Sequence, residues 1–252
     1  MTSTSNQPLA AVILAAGMGK RMKSDLPKVM HQVGGKPMIL HVIDQAKSSG
    51  ADQVVVIVGH GRDLVIPLLN AAGARHVVQE QQLGTGHAVR MASEALAGFE
   101  GNVLVLSGDV PLLSSETIQQ VLECHRQQKA TATVVTAVAP DPSGYGRVIR
   151  GEKGLLSAIR EHKDCTSAEL EIREINSGIY VFRAKALFEA LGRLKNDNAQ
   201  GEYYLTDVFA DFFAEGEPVA AFAGDFDEIT GVNTPKDLAK VEEIWQSRQA
   251  QP

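Results

Sequence analysis

The residues best suited to chemistry gather at two points in the first half of the chain. Lys20, Arg21, Lys23 and Lys28 lie within nine residues, directly after Gly17 and Gly19. Glycines let backbone N–H groups approach phosphate oxygens, and cations that follow them supply neutralising charge. Pro27 stiffens the backbone that carries Lys28. A bare Gly-x-Gly also suits a tight strand-to-helix turn, and two sharper motifs can be tested here. The dinucleotide fingerprint requires a third glycine where Met22 stands, and the Walker loop requires Ser or Thr where Arg21 stands. Both fail. The second point is Ser107-Gly108-Asp109. A carboxylate there would suit Mg²⁺, which takes one or two protein carboxylates and fills its shell with substrate phosphates. A turn or helix-capping aspartate is the plainer reading.

Other chemistries find little support. There is no Gly-x-Ser-x-Gly elbow for a hydrolase triad. Cys165 has no base near it in sequence, and Cys124 falls near a helical core face. His60, between two glycines, reads as a turn residue, and His87 reads as structural. The other histidines lack metal-ligand spacing. Glu169, Glu171 and Glu174 read as a solvated face. With 252 residues, 44% of them apolar, the chain can bury one large α/β core or two small ones. A net charge of −6 disfavours nonspecific nucleic-acid binding but allows an anionic small substrate at a local cationic site. No run approaches the roughly 18 apolar residues of a membrane span. The first residues lack the apolar core of a signal peptide, and two cysteines fit a reducing compartment, so a cytoplasmic location is expected.

The elements that must position these residues follow two periodicities. Residues 9–16, 53–58, 74–78 and 102–106 are short apolar runs, the pattern of buried parallel strands. Met38, Ile39, Val42, Ile43 and Ala46 share one helical face, with Pro37 at its start and Gly50 at its stop. Further helices are predicted over 61–72 and 84–96, and from Ser114 onward with Ile118, Val121 and Leu122 inward. A fifth strand covers 131–138. Alternation of this kind predicts right-handed crossovers on a twisted parallel sheet. Strands over 144–150, 155–159 and 175–182 lack a helix between the first two, which predicts an antiparallel extension. Leu187, Ala190, Leu191 and Leu194 mark another helix, 205–213 a further one, and 219–222 a short strand. Thr234-Pro235 signals a cap and first turn, with Leu238, Val241, Ile244 and Trp245 on the face that follows. The expectation is one domain with two lobes. Ligands of open α/β sheets bind beyond the carboxyl ends of the strands. Those ends carry the Gly17 loop, Gly59-His60-Gly61, Gln79 with Gln81 to Gly86, and Asp109.

Leu14-Ala15-Ala16-Gly17-x-Gly-x-Arg21-Met22, followed by Asp25-Leu26-Pro27-Lys28, resembles the signature of the sugar-nucleotide pyrophosphorylases. Within them the N-acetylglucosamine-1-phosphate uridyltransferases match over nearly the whole chain. Gln79-x-x-Gln82-Leu83-Gly84-Thr85-Gly86-His87-Ala88, Gly108-Asp109-Val110-Pro111-Leu112 and Gly144-Tyr145-Gly146-Arg147 carry the match onward. So do Glu161-His162-Lys163-Asp164, Glu174-Ile175-Asn176-x-Gly178, Gln200 to Asp207, and Gly231-Val232-Asn233.

The resemblance implies a Rossmann-like mixed, mostly parallel twisted sheet flanked by helices, the nucleotide-diphospho-sugar transferase (GT-A-like) architecture. It implies a nucleotide-binding lobe over about 1–140, and a sugar-binding lobe with a closing helix over about 141–252. Leu14, Ala15, Ala16, Gly17, Gln79, Gly84, Thr85, Ser107 and Gly108 would hold the nucleotide. The Gln79 amide, offering donor and acceptor together, would pair with the uracil edge. Lys28 and Arg21 would bind the triphosphate, Asp109 and Asn233 would coordinate Mg²⁺, and Gly146, Glu161, Asn176 and Thr206 would hold the amino sugar. Ser107 stands where the family often has an aromatic residue.

The implied activity is Mg²⁺-assisted uridylyl transfer from UTP to N-acetylglucosamine 1-phosphate, a step towards cell-wall precursors, without nucleic-acid or membrane partners. The alternatives are a pyrophosphorylase for another nucleotide or sugar, which Gln79 and the Glu161/Asn176 pair would decide, and a noncatalytic sugar-nucleotide sensor. A sensor has no need of the whole set Lys28, Arg21, Asp109 and Asn233. Bifunctional members carry an acetyltransferase β-helix of hexapeptide repeats. No such repeat follows Trp245, so the nucleotidyltransferase part alone is expected. The oligomeric state is left open.

Overall fold

Along the first strand, β1 (Leu9–Ala15), apolar side chains alternate between two cores: Ala11, Ile13 and Ala15 enter one cluster, Ala10 and Val12 the other. Such a strand is stable only inside a sheet covered on both faces. The structure, a computed structural model, describes residues 7–250. After β1 come a short hairpin, β2 (Gln32–Val33) and β3 (Lys36–Pro37), and helix α1 (Met38–Ser48). Then follow β4 (Gln53–Val58), α2 (Arg62–Ala71), β5 (Arg75–Val78), α3 (Thr85–Arg90) and β6 (Asn102–Ser107). The second half holds α4 (Ser115–Gln127), β7 (Ala132–Val138), β8 (Gly146–Arg150), β9 (Leu156–Arg160), α5 (Ser167–Leu170) and β10 (Glu174–Arg183). It closes with α6 (Ala184–Leu191), α7 (Val208–Ala214), β11 (Val219–Ala223) and α8 (Pro235–Gln249).

Nine strands form one sheet among the described residues, in the order β11-β7-β10-β6-β1-β4-β5, with β8 paired to β10 and β9 to β8. Strands β6, β1, β4 and β5 run parallel, as do β7 and β11. Helices α1, α2 and α4 cover one face through Ile39, Ile43, Leu69, Ile118 and Val121. Helices α3, α6 and α7 cover the other through Val89, Leu187, Leu191, Phe209 and Phe212. Each such side chain contributes about 1.5–3 kcal/mol by its burial. No helix among the described residues is long and apolar enough to cross a membrane.

Three features depart from the sequence reading. Strand β10, expected in an antiparallel extension at one end of the sheet, is antiparallel but lies inside the sheet, between β6 and β7. The helix predicted over 84–96 keeps α geometry only to Arg90, after which Ala92 and Ser93 bond to carbonyls three residues back. The helix predicted over 205–213 begins as a tight turn, Leu205–Asp207, before α7. The Leu205 amide is held there by the Thr85 hydroxyl at 3.1 Å. The antiparallel extension formed as expected, from β8 and β9.

A bulge in β10 opens the sheet. Its pairing with β7 shifts between Asn176 and Tyr180, and side chains replace the lost ladder bonds. Ser177 Oγ donates to the Val135 carbonyl at 2.7 Å and accepts from the Ile179 amide at 3.1 Å. Asn176 Oδ1 accepts from the Gly178 amide at 3.2 Å. Before the bulge β10 pairs with β8; after it, with β6. The carboxyl end of β6, at Ser107, therefore faces a gap.

Helix α8 closes the other side. Val241 joins Met22, Val33, Met38, Leu112 and Val232 in a separate apolar cluster, backed by Leu238, Ile244 and Trp245. The Thr234-Pro235 start is as read, and Asp237 completes a capping box with Thr234.

Candidate active site

The cationic loop and the Asp109 loop meet at the carboxyl ends of β1 and β6. Gly108 N donates to the Leu14 carbonyl at 2.9 Å, which ties the two loops together. Gly19 adopts a φ of +60°, and a Cβ on it would lie 2.7 Å from Lys28 Cβ, so only glycine lets the lysine fold back across the loop. Lys28 Nζ then pairs with Asp109 Oδ2 and donates to Asn233 Oδ1 at 3.1 Å. Arg21 Nη2 donates to the same Asn233 oxygen at 3.0 Å. Four residues named from the sequence thus form one network, with Lys28 and Asp109 side chains only 17% and 14% exposed. Asn233 is fixed from behind: its backbone N–H donates to Asp237 Oδ2 at 3.0 Å, the carboxylate that completes the capping box of α8.

Asp109 and Asn233 present two hard oxygen donors to one cation, the Lys28 ammonium. No group of three or more His, Cys, Asp or Glu suited to hold a metal occurs among the described residues. One carboxylate and one amide oxygen fit a divalent cation that takes most of its shell from phosphate and water.

On the far side of Ser107 lies a cavity of about 190 Å³. Leu14, Thr85, Ser107, Gly146, Glu161 and Asn176 line it, together with Tyr145, Tyr180 and Leu205. Thr206 follows Leu205, and its hydroxyl donates to Glu161 Oε1 at 3.1 Å. Burial raises the Glu161 carboxyl above its usual range, against the Thr206 bond and helped by Asp207, Asp164 and Glu202. Asn176 Nδ2 donates to the Tyr180 hydroxyl at 2.7 Å, so its amide is already oriented. Tyr145, not singled out from the sequence, bridges cavity and ion network. Burial raises its hydroxyl, and Asp237 and Asp109 add to the rise against Arg21. Its ring also packs edge-on against Phe226 at 6.2 Å.

The residues assigned to a base lie around the end of β5. Gly84 has a φ of +104°, and a Cβ there would meet the Tyr203 carbonyl at 2.6 Å. Gln82 Nε2 donates to the Ala16 carbonyl at 2.7 Å and holds this loop against β1. Ala15 and Ala16 are buried, while Gly17 has open space where a side chain would be. Gln79 requires a correction. Its Nε2 is committed to the Gly84 carbonyl at 3.2 Å and to His87 Nδ1 at 2.8 Å, so the amide does not present donor and acceptor together. His87, read as structural, holds the Gln79 side chain through this bond.

The unused groups are accounted for. Glu174 pairs with Arg150, and Glu169 caps α5 through Thr166. Cys124 and Cys165 are free, and burial raises both thiols, away from nucleophilic chemistry. A wider depression over α4 and β11 is lined by Gln119, Gln120, Glu123, Cys124, Gln127 and Phe222.

This strand order, with its polar network beyond the carboxyl strand ends, is a nucleotide-diphospho-sugar transferase fold. The crystal structure of a UDP-glucose pyrophosphorylase complexed with UDP-glucose matches it at a TM-score of 0.76, covering 96% of this chain and 99% of that one. At 18% identity that likeness concerns the fold. The chain belongs to the MobA-like NTP transferase domain family, whose model matches residues 11–211. It is 51% identical to the bifunctional protein GlmU of Halalkalibacterium halodurans over 239 residues, 94% of this chain and 52% of that protein. It is 52% identical to that of Exiguobacterium sibiricum over 94% of this chain and 53% of that protein. The chain spans about half the length of the curated relatives it matches.

Proposed function

We propose that the chain transfers a uridylyl group from UTP to N-acetylglucosamine 1-phosphate, releasing pyrophosphate. The observation that carries this reading is the continuity of two unlike sites across Ser107. One is the network of Lys28, Arg21, Asp109 and Asn233; the other is the cavity with Gly146, Glu161 and Asn176. The first suits a triphosphate and the second a polar, uncharged ring. Family membership and the similarity to GlmU proteins support the same reading. The reading divides the chain into a nucleotide lobe over about 1–140 and a sugar lobe over about 141–252, and places the reaction in the cytoplasm.

In this reading a phosphate oxygen of the sugar 1-phosphate attacks the α-phosphorus of UTP in line. The bond from that phosphorus to the β-bridging oxygen breaks, and pyrophosphate carries the charge away. Lys28 and Arg21 hold the triphosphate and neutralise the charge that builds on the leaving group. Asp109 and Asn233 would hold Mg²⁺, which supplies further charge neutralisation when bound. Glu161, with the Thr206 hydroxyl already on one oxygen, accepts from a sugar hydroxyl or the N-acetyl N–H. Asn176 and the Gly146 backbone bound the same ring. Leu14, Ala15, Ala16, Gly17, Gly84, Thr85 and Gly108 bring main-chain groups to the nucleoside.

A pyrophosphate-release assay across UTP, dTTP, CTP and GTP, each with a panel of sugar 1-phosphates, tests the proposal. The expected optimum is UTP with N-acetylglucosamine 1-phosphate, dependent on a divalent cation. A clear preference for another base or sugar would overturn it, and turnover in excess chelator would remove the Asp109/Asn233 role.

A further inference from the structure

We propose that His87 is a positioning residue that fixes the Gln79 amide so that only its carbonyl oxygen is offered to the nucleobase, selecting uracil over cytosine. The proposal rests on the reading that the base lies at Gln79.

The orientation of the amide follows from its neighbours. The Gly84 carbonyl, 3.2 Å away, can only accept, so the Gln79 atom facing it is nitrogen. The second N–H of that nitrogen points to His87 Nδ1 at 2.8 Å. This bond requires a lone pair on Nδ1, hence a neutral ring with its proton on Nε2. Burial, then the Arg90 charge, hold His87 below its ordinary range, against the Gln81 carbonyl beside the ring. The ring is itself held: it packs tilted against Tyr203 at 6.4 Å, and the Arg90 guanidinium lies 5.0 Å over that tyrosine. Gly86 N donates to the Tyr203 carbonyl at 2.8 Å and fixes the start of α3 against the same residue.

Both donors of Gln79 are thereby consumed. Its Oε1 takes no hydrogen bond among the described residues, yet it is not among the enclosed polar atoms left without partners. The acceptor oxygen is therefore not fully enclosed, on a residue only 4% exposed. Uracil presents a ring N–H at N3 and can donate to that oxygen. Cytosine presents a lone pair at the same place, which sets acceptor against acceptor. Removing the His87 acceptor leaves one bond to hold the amide and lets it turn over, so that nitrogen can face cytosine.

The test is the ratio of kcat/KM for UTP and CTP, with N-acetylglucosamine 1-phosphate, in the parent chain, His87→Phe and His87→Asn. Phenylalanine keeps a ring against Tyr203 but has no acceptor, whereas asparagine places Oδ1 where Nδ1 stood. The expected result is a UTP preference that falls about tenfold in His87→Phe, the worth of one hydrogen bond, and returns to within about threefold in His87→Asn. An unchanged ratio in an active His87→Phe protein would overturn the proposal. So would an equal loss in both variants, which a merely structural histidine would give. His87→Gln, whose acceptor lies one bond further out, replaces the phenylalanine variant if that does not fold and must lose the preference too. A parent chain that prefers CTP, or uses no nucleotide, overturns the underlying reading itself, whereas an unchanged ratio in an active variant overturns only the role of His87.

Discussion

Replacing Lys28 by alanine removes one ammonium from a network in which it serves two oxygens. Its Nζ pairs with Asp109 Oδ2 and donates to Asn233 Oδ1 at 3.1 Å. The Asp109 side chain is 14% exposed, so water compensates only in part for the lost partner. A half-buried carboxylate left unpaired costs about 1–3 kcal/mol of stability. The effect on transfer is larger. A fixed cation aimed at developing phosphate charge is worth about 10²–10³ in rate, or about 3–4 kcal/mol on the barrier. Lys28→Ala is therefore expected to melt a few degrees lower and to turn over at least a hundredfold more slowly. Added divalent cation should restore much of the lost stability, since it can take the Asp109 and Asn233 oxygens. It should restore little of the rate, because the leaving group still lacks its lysine. Initial rates of pyrophosphate release, with thermal melts at matched Mg²⁺ concentrations, measure both. A variant turning over within threefold of the parent would refute the assignment of Lys28 to the reaction.

Other perturbations probe the scaffold. Asp237→Ala removes the reciprocal half of the α8 capping box and the carboxylate that holds the Asn233 backbone N–H, so it should cost about 1 kcal/mol and raise the Mg²⁺ concentration needed for half-maximal rate. Gly84→Ala places a methyl 2.6 Å from the Tyr203 carbonyl at a φ of +104°; it should destabilise by about 1–3 kcal/mol and raise KM for the nucleotide. His125, enclosed with Nε2 unpartnered and Nδ1 2.8 Å from the Thr133 hydroxyl, is pushed down to about 4 by burial and then by Arg183. The unfolded chain binds that proton more readily. Stability from His125 is thus complete above about pH 6.5 and is lost as pH falls towards 4, by at most roughly 3 kcal/mol. Denaturant titrations at pH 7.5 and 5 should show that slope in the parent and a flatter one in His125→Gln.

Much of this site could be read from residue order alone. Short apolar runs marked β1, β4 and β6 as strands buried on both faces, and the carboxyl-end rule then pointed to Lys28 and Asp109. Thr234-Pro235 marked the start of α8, with Asn233 just ahead of it. What stayed hidden depends on partners far away in sequence. The residues of β10 mark a strand of an antiparallel extension, but only pairing with β6 and β7 places it between them, inside the sheet. Its bulge is made by the Asn176 and Ser177 side chains bonding to backbone. The 205–207 turn replaces a helical turn because Thr85, 120 residues away, captures the Leu205 amide. Gln79 and His87 are only eight apart, yet the loop between them, not a helical or strand period, brings them together.

In the proposed reaction the uridylyl group moves in a single in-line step with no covalent protein intermediate. UTP carrying sulfur at the α-phosphorus in one defined configuration, mixed with N-acetylglucosamine 1-phosphate and Mg²⁺, tests it directly by phosphorus NMR. A single displacement leaves the sulfur-bearing phosphorus in the sugar nucleotide with inverted configuration and releases pyrophosphate without sulfur. Retained configuration, or a sulfur label that never reaches the sugar, would contradict it.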